Sequence, residues 1–241
     1  MTAPVTATAP PQKPAEPRMS ETTPLYSLIT PSRGDRPIAL GLAIDSVRLA
    51  AEQAGLAPGD MEMLVGFDGI KGERVRPDAF VRWYDFPRDN DFGNAIRNGL
   101  LRASRGRRIV FLDDDNSLTP EAFQIYEAHP GADMLIARID VSRAHKAQYL
   151  PVAEEGRELV RQCNIDPLCL CLTRDLVVTR CDGWQGARYE ADFRNIVRYH
   201  RRAHSVEVTD RLVGIYDSGR GLDEGGLNFR QMKKEQETPS S

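Results

Sequence analysis

Three consecutive carboxylates, Asp113, Asp114 and Asp115, follow directly on the apolar run Ile109 to Leu112, and Asn116 comes next. Like charges at neighbouring positions repel one another and make a poor ending for a hydrophobic strand unless something positive answers them. A divalent cation would do so, because Mg²⁺ and Mn²⁺ take hard oxygen ligands, keep part of their water and bind substrate phosphates. Held by Asp113 and Asp115, such an ion would join the protein to a diphosphate and stabilise that group as it departs. The plainer reading of the same residues is a turn in which Asp and Asn cap a helix beginning near Pro120, since Asp-x-Asp is short and common.

The surrounding sequence must place these acids. Tyr26 to Thr30 has the composition of a buried strand, and P31-S32-R33-G34-D35-R36-P37 breaks it into a loop. From Ile38 to Ala54 the apolar positions Leu40, Ile44, Val47 and Ala51 recur at helical spacing, and Gly55 to Gly59 ends that helix. Met61 to Phe67 predicts a second strand stopped by Asp68-Gly69, Phe80 to Phe86 a third, Asp91 to Ala103 a turn feeding a helix, and Arg107 to Leu112 a fourth strand. This alternation implies an α/β sandwich with a largely parallel sheet. Ligands of such sheets bind beyond the carboxyl ends of the strands, and there Asp68 and the run Asp113 to Asp115 would face one crevice.

The later half is less periodic. Thr119-Pro120-Glu121 opens a short helix with Thr119 as N-cap and Pro120 at its first position. Ala132 to Val141 and Leu168 to Thr173 suit strands, Glu154 to Asn164 is ambiguous, and Leu176 to Arg180 suits a short helix or strand. Ala191 to His204 is helical in composition and precedes a strand over Val206 to Val213. Arg194, Arg198 and Arg201 recur at helical spacing, as a solvated surface or as one positive face for phosphates or an anionic acceptor.

The chain has 241 residues, 41% of them hydrophobic, with 32 Lys and Arg against 35 Asp and Glu, a formal charge of −3. Its pI is about 5.9 and its mean hydropathy −0.45. A folded, water-compatible protein is expected, with no general attraction to nucleic acid or to an anionic membrane. No apolar run is long enough for a transmembrane helix or for the core of a signal peptide, so a cytoplasmic location is expected, compatible with peripheral membrane contact. Residues 1–23, rich in Pro, Ala and Thr, and 230–241 suit disordered tails around one domain over 24–229. Cys163, Cys169, Cys171 and Cys181 lack the paired C-x2-C knuckles of common zinc sites and suit reduced, buried thiols.

From Tyr26 to Tyr199 the sequence resembles the catalytic domain of a family 2 type glycosyltransferase with the GT-A fold, an α/β/α sandwich around a mostly parallel sheet. The resemblance is carried by S27-L28-I29-T30-P31, by V65-G66-F67-D68-G69, and by the long pattern from Gly93 through A95-I96-R97-N98 and A103-S104-R105-G106 to the strand and D113-D114-D115. It implies that Pro31 and Asp68 line a nucleoside pocket, with Asp68 accepting hydrogen bonds from the base. Arg97 would orient the acidic loop or face donor phosphates, Asp113 would contact sugar or ribose hydroxyls and the metal, and Asp115 would bind Mn²⁺ or Mg²⁺. The implied reaction moves a sugar from a nucleotide-sugar, a UDP-sugar by preference, to a hydroxyl of a glycan, lipid-linked or small-molecule acceptor, with inversion by resemblance and retention as the alternative.

Inversion needs a carboxylate to take the acceptor proton. The family places a Glu-Asp pair after a Gly-aromatic element, and here D182-G183-W184 precedes R188-Y189-E190-A191-D192-F193. Ala191 separates the two acids, which leaves Asp192, favoured by the Asp-aromatic step, and Glu190 as alternatives. Trp184 could wall the sugar site or pack the core. Asn116 stands where another Asp is usual, and V213-G214-I215-Y216-D217 lacks the family's late His, leaving Asp217 as a substitute ligand. Acceptor specificity is expected in residues 142–166 and the loop 217–227. The competing readings are a nucleotide-sugar or glycan-binding module without turnover, and a nucleotidyltransferase, against which the loop at Pro31 to Arg36 offers one Gly only.

Overall fold

The computed structural model describes residues 23–219 and 222–223. The expected tails, and most of the loop from 217 to 227 beyond Gly219, lie outside the described residues.

Four strands and two helices build the half that carries the acids. Strand β1 (Tyr26–Ser32) and β2 (Met61–Asp68) are buried along almost their whole length, as expected of parallel strands covered on both faces. Helix α1 (Pro37–Ala54) follows β1, with Pro at its start and Gly55 closing it at φ 71°, the left-handed conformation that glycine adopts without penalty. Its buried positions Leu40, Ala43, Ile44, Val47, Ala50 and Ala51 form one stripe at spacings of three and four. Strand β3 (Val81–Phe86), helix α2 (Asn94–Ala103) and strand β4 (Arg108–Phe111) complete this half. β1 pairs in parallel with both β2 and β4, and β2 with β3. The loops leaving β1, β2 and β4 therefore emerge side by side at the carboxyl ends.

The remaining elements are β5 (Ser117–Leu118), α3 (Ala122–Glu127), β6 (Met134–Asp140), β7 (Tyr149–Leu150), β8 (Leu170–Thr173), α4 (Ala191–Arg202) and β9 (Val206–Ile215). A 3₁₀ turn, Pro167–Cys169, precedes β8, and a π-helical turn, Asp175–Arg180, follows it. The nine strands of the described residues join one sheet in the order β3-β2-β1-β4-β8-β6-β9-β5, with β7 on β6. β8 runs antiparallel to β4 and β6, while β6 and β9 are parallel.

Several local expectations are corrected. Thr119 does not cap α3: its hydroxyl donates to the Leu212 carbonyl at 2.8 Å, and the helix begins only at Ala122. Cys169 belongs to the 3₁₀ turn rather than to a strand shared with Cys171. Cys169, Cys171 and Cys181 are buried free thiols, but Cys163 is exposed. Arg198 does not join Arg194 and Arg201 in a solvent-facing row, because its guanidinium turns inward to donate to the Gly183 carbonyl at 2.8 Å.

Candidate active site

The acidic run sits in the turn between β4 and β5, and its three carboxylates point to different partners. Asp114 is buried and accepts from the Ser32 hydroxyl at 2.6 Å and from Arg36 at 2.5 Å. Burial pushes this carboxyl up to about 7 against the pull of Arg36, with the neighbouring Asp115 adding to the rise. Asp115 is paired with the other terminal nitrogen of the same guanidinium and is likewise raised by burial. Arg36 thus answers two of the three charges, a residue that sequence reasoning passed over. Its place follows from topology: β1 and β4 are parallel neighbours, so the loop after β1 lies beside the acidic turn.

Asp113, the most exposed of the three with 41% of its side chain open, pairs with Arg97 at 2.6 Å. Arg97 is buried and donates its other terminal nitrogen to the Phe92 carbonyl at 2.7 Å. Beneath it lies Trp184, with the guanidinium carbon 5.1 Å from the ring centre. Burial works against the charge on Arg97, but Asp113 and Asp192 outweigh it and hold the group protonated. Arg97 therefore pairs with the acidic turn, with both terminal nitrogens engaged inside the protein.

Trp184 is a core side chain, 2% exposed. Its indole N–H donates to Asn94 Oδ1 at 2.8 Å, and Phe111 meets it edge-on. This decides between the two readings of the residue: a buried ring offers no surface to a sugar.

The two candidate bases separate clearly. Glu190 is the N-cap of α4 with 56% of its side chain exposed, facing Arg194 one turn on at 3.5 Å. Asp192 lies in the first turn of α4, where burial lifts its carboxyl to about 6, Arg97 pulls it down and Asp113 pushes it up. Asp192 thus shares one electrostatic centre with Arg97 and Asp113.

Asp68 closes β2 as expected, but both its oxygens accept backbone N–H groups, from Asp89 at 2.6 Å and Asn90 at 3.1 Å. It organises the loop between β3 and α2, and it makes no Asx-turn with Gly69, whose N–H goes to the Phe86 carbonyl. Pro31 is buried at the end of β1 and touches that same loop: a Cβ on Gly93 would stand 2.8 Å from the Pro31 Cβ, at φ 74°. Only glycine fits there.

Asn116 is turned from the carboxylates and accepts the Asp217 N–H at 2.8 Å. The Asp115 carbonyl in turn accepts the Gly219 N–H at 2.9 Å. The chain after β9 is therefore clamped to the backbone of the acidic turn, and Asp223 beyond it caps α1 by accepting the N–H groups of Ile38 and Ala39 at 2.9 and 2.8 Å.

Among the described residues no three His, Cys, Asp or Glu side chains converge as a metal site. The donors present nevertheless suit a hard divalent ion, which needs only one or two carboxylates when water and substrate phosphates complete its shell. Arg36 already answers Asp114 and Asp115, so an ion held by Asp115 would share that carboxylate with the guanidinium.

No protein-family model and no curated protein matches the sequence. Solved structures do match in shape. TarS 1–349 of S. aureus, solved in complex with UDP, superposes with a TM-score of 0.65 at 15% identity, over 79% of this chain and 60% of that one. The chain has the GT-A fold. The same TarS fragment in complex with UDP-GlcNAc matches with a TM-score of 0.58 at 14% identity, over 79% and 58%. The mannosyltransferase PcManGT of Pyrobaculum calidifontis, in complex with GDP-Man and Mn²⁺, matches with a TM-score of 0.53 at 12% identity, over 81% and 57%. The chain thus spans under two thirds of the length of each of these relatives in shape. The expected sandwich with a mostly parallel sheet is borne out.

Proposed function

We propose that this protein is a glycosyltransferase that moves a hexose from a nucleotide-sugar to a hydroxyl acceptor by inversion. The observation that carries the reading is the buried Arg97, ion-paired with Asp113 of the acidic turn after β4 and near enough to the α4 carboxylate Asp192 for the two charges to attract. That arrangement sits at the carboxyl ends of β1, β2 and β4, where sheets of this kind bind ligands. The superposed proteins hold UDP, UDP-GlcNAc and GDP-Man, which supports a nucleotide-sugar donor, with the UDP form preferred.

In this reading Asp192 is the general base. It takes the proton of the acceptor hydroxyl while that oxygen bonds to the anomeric carbon, and the bond from that carbon to the diphosphate oxygen breaks on the opposite face. One displacement inverts the anomeric centre, and the nucleoside diphosphate leaves with the bonding pair. Asp113 accepts hydrogen bonds from donor hydroxyls, Arg97 fixes its orientation, and Pro31 and the loop organised by Asp68 border the nucleoside. Mn²⁺ or Mg²⁺ bound by Asp115, with Asp113, would supply positive charge to the departing diphosphate. An acid whose proton affinity lies near neutrality is suited to taking a proton and giving it up, and Asp192 at about 6 meets that requirement.

The test is nucleotide release from a panel of UDP-, GDP-, dTDP- and CMP-sugars, with and without Mn²⁺. Release from one donor, stimulated by the metal, is expected. A protein that binds a nucleotide-sugar but releases nothing, even with a hydroxyl acceptor present, would instead be a binding module.

A further inference from the structure

Two aromatic side chains project from the surface beside the Arg97 centre. Phe92 is 64% exposed and Tyr189 55%, and their rings meet edge to face with centroids 5.8 Å apart. They belong to different loops, Phe92 to the one between β3 and α2 and Tyr189 to the one before α4. None of the other large apolar side chains exposed among the described residues lies in either loop.

Both rings sit on or beside unusual backbone. Phe92 holds φ 54°, and Arg188, next to Tyr189, holds φ 68°, a region that side-chain-bearing residues avoid and that persists where the surroundings enforce it. Here they do. Asp68 accepts the N–H groups of Asp89 and Asn90, Asp91 accepts the Arg188 N–H at 2.7 Å, and Asn94 donates to the Arg188 carbonyl at 3.2 Å. The two loops are thereby stitched together with their rings outward. The Phe92 carbonyl is also the group that takes one Arg97 nitrogen, so the ring pair is anchored directly to the centre that holds Asp113.

We infer that Phe92 and Tyr189 form the platform on which a pyranose ring of the acceptor rests, an assignment that builds on the glycosyltransferase reading above. A pyranose has an apolar C–H face, which suits the face of an aromatic ring, and a rim of hydroxyls that needs polar neighbours. The same loops supply that rim with Asp89, Asn90, Arg188 and Glu190. The rings stand at 72° to one another, a corner that takes one sugar, its C–H face resting on one ring and its edge against the other, and the patch falls short of a protein interface or a bilayer contact. Asp192, three residues beyond Tyr189, would then lie on the acceptor side of the donor.

Saturation-transfer NMR tests this with gluco-, galacto- and manno-configured trisaccharides on the full chain. The panel is run on the wild type, on Phe92→Leu with Tyr189→Leu, and on Phe92→Tyr with Tyr189→Phe. Leucine keeps apolar bulk and removes the ring. Transfer to C–H protons of at least one trisaccharide is expected in the wild type and the aromatic-for-aromatic variant, with affinity weaker by about tenfold or more in the leucine variant. UDP or GDP should still bind, and the thermal midpoint should stay as in the wild type. No transfer from any trisaccharide, or equal transfer in the leucine variant, would overturn the platform. So would a finding that the rings are needed for co-sedimentation with phosphatidylglycerol vesicles and for nothing else. Glycan binding without nucleotide binding would support the platform while contradicting the transferase reading; nucleotide binding without glycan binding would do the reverse.

Discussion

Asp192 and Glu190 are two residues apart and chemically alike, yet one is half-buried beside Arg97 and the other faces water. Asp192→Asn should therefore slow the chemical step by roughly 10²-fold or more, while Glu190→Gln leaves it nearly unchanged. The sign of the pH dependence follows from the elevated carboxyl. Below about 6 Asp192 carries a proton and cannot accept another, so kcat/KM should fall with pH through that value and stay level above it. A steady-state pH profile reads this directly; a profile flat down to pH 4.5 would remove Asp192 from the role. Asp115→Ala should abolish stimulation by Mn²⁺ without lowering the thermal midpoint greatly, because Arg36 keeps Asp114. Metal-stimulated turnover at the wild-type level would reject that ligand. The sequence displayed these acids because charge at the end of an apolar strand is conspicuous. Arg36 was not legible, since its meaning depends on β1 and β4 being neighbours, and neither was the inward turn of Arg198, which depends on where the Gly183 carbonyl lies.

Among the elements, those buried on both faces were the most legible. β1, β2 and β4 are short runs with mostly apolar, buried side chains, and α1 carries a stripe bounded by Pro37 and Gly55. β5 and β7 have two residues each, too few to show any period. Thr119 misled because a good capping hydroxyl was taken by a carbonyl of β9, far along the chain. The turn into α2 makes the sharpest prediction at this scale. Gly93 is the N-cap of α2 at φ 74°, and its missing side chain leaves room for Pro31 and for the Arg97 guanidinium. Gly93→Ala should cost about 1–3 kcal/mol in urea unfolding and reduce turnover as well, because Arg97 must shift. A variant as stable and active as the wild type would show that the turn does not set the position of Arg97.

At the scale of the whole molecule, the sheet has an end where the acids gather and an opposite end with a buried carboxylate of its own. Opposite the acids, Glu62 at the start of β2 is buried and accepts from Ser27 at 2.7 Å, from Arg82 at 2.6 Å and from the Arg105 N–H at 2.5 Å. Burial pushes its carboxyl up, but these hydrogen bonds and the Arg82 charge outweigh that and hold it below the ordinary range. Its stabilising contribution is therefore complete at neutral pH and is lost as pH falls through the depressed value. Glu62→Gln should cost about 1–3 kcal/mol at pH 7, with the difference from wild type shrinking in acid; a constant difference would contradict the linkage. The sequence conveyed the sandwich and the edge at which the acids gather, whereas the order in which β8, β6 and β9 extend the sheet depends on two antiparallel pairings and one parallel pairing with no local signature.

The central claim is that the edge holding Asp113, Arg97 and Asp192 receives a nucleotide-sugar. Titration calorimetry with UDP- and GDP-sugars, in EDTA and in Mn²⁺, tests it most directly, on the wild type and on Asp113→Ala. Saturable one-site binding of at least one donor is expected, weaker by about tenfold or more in the variant at an unchanged thermal midpoint. Absence of binding by every donor, or binding indifferent to Asp113, would contradict it.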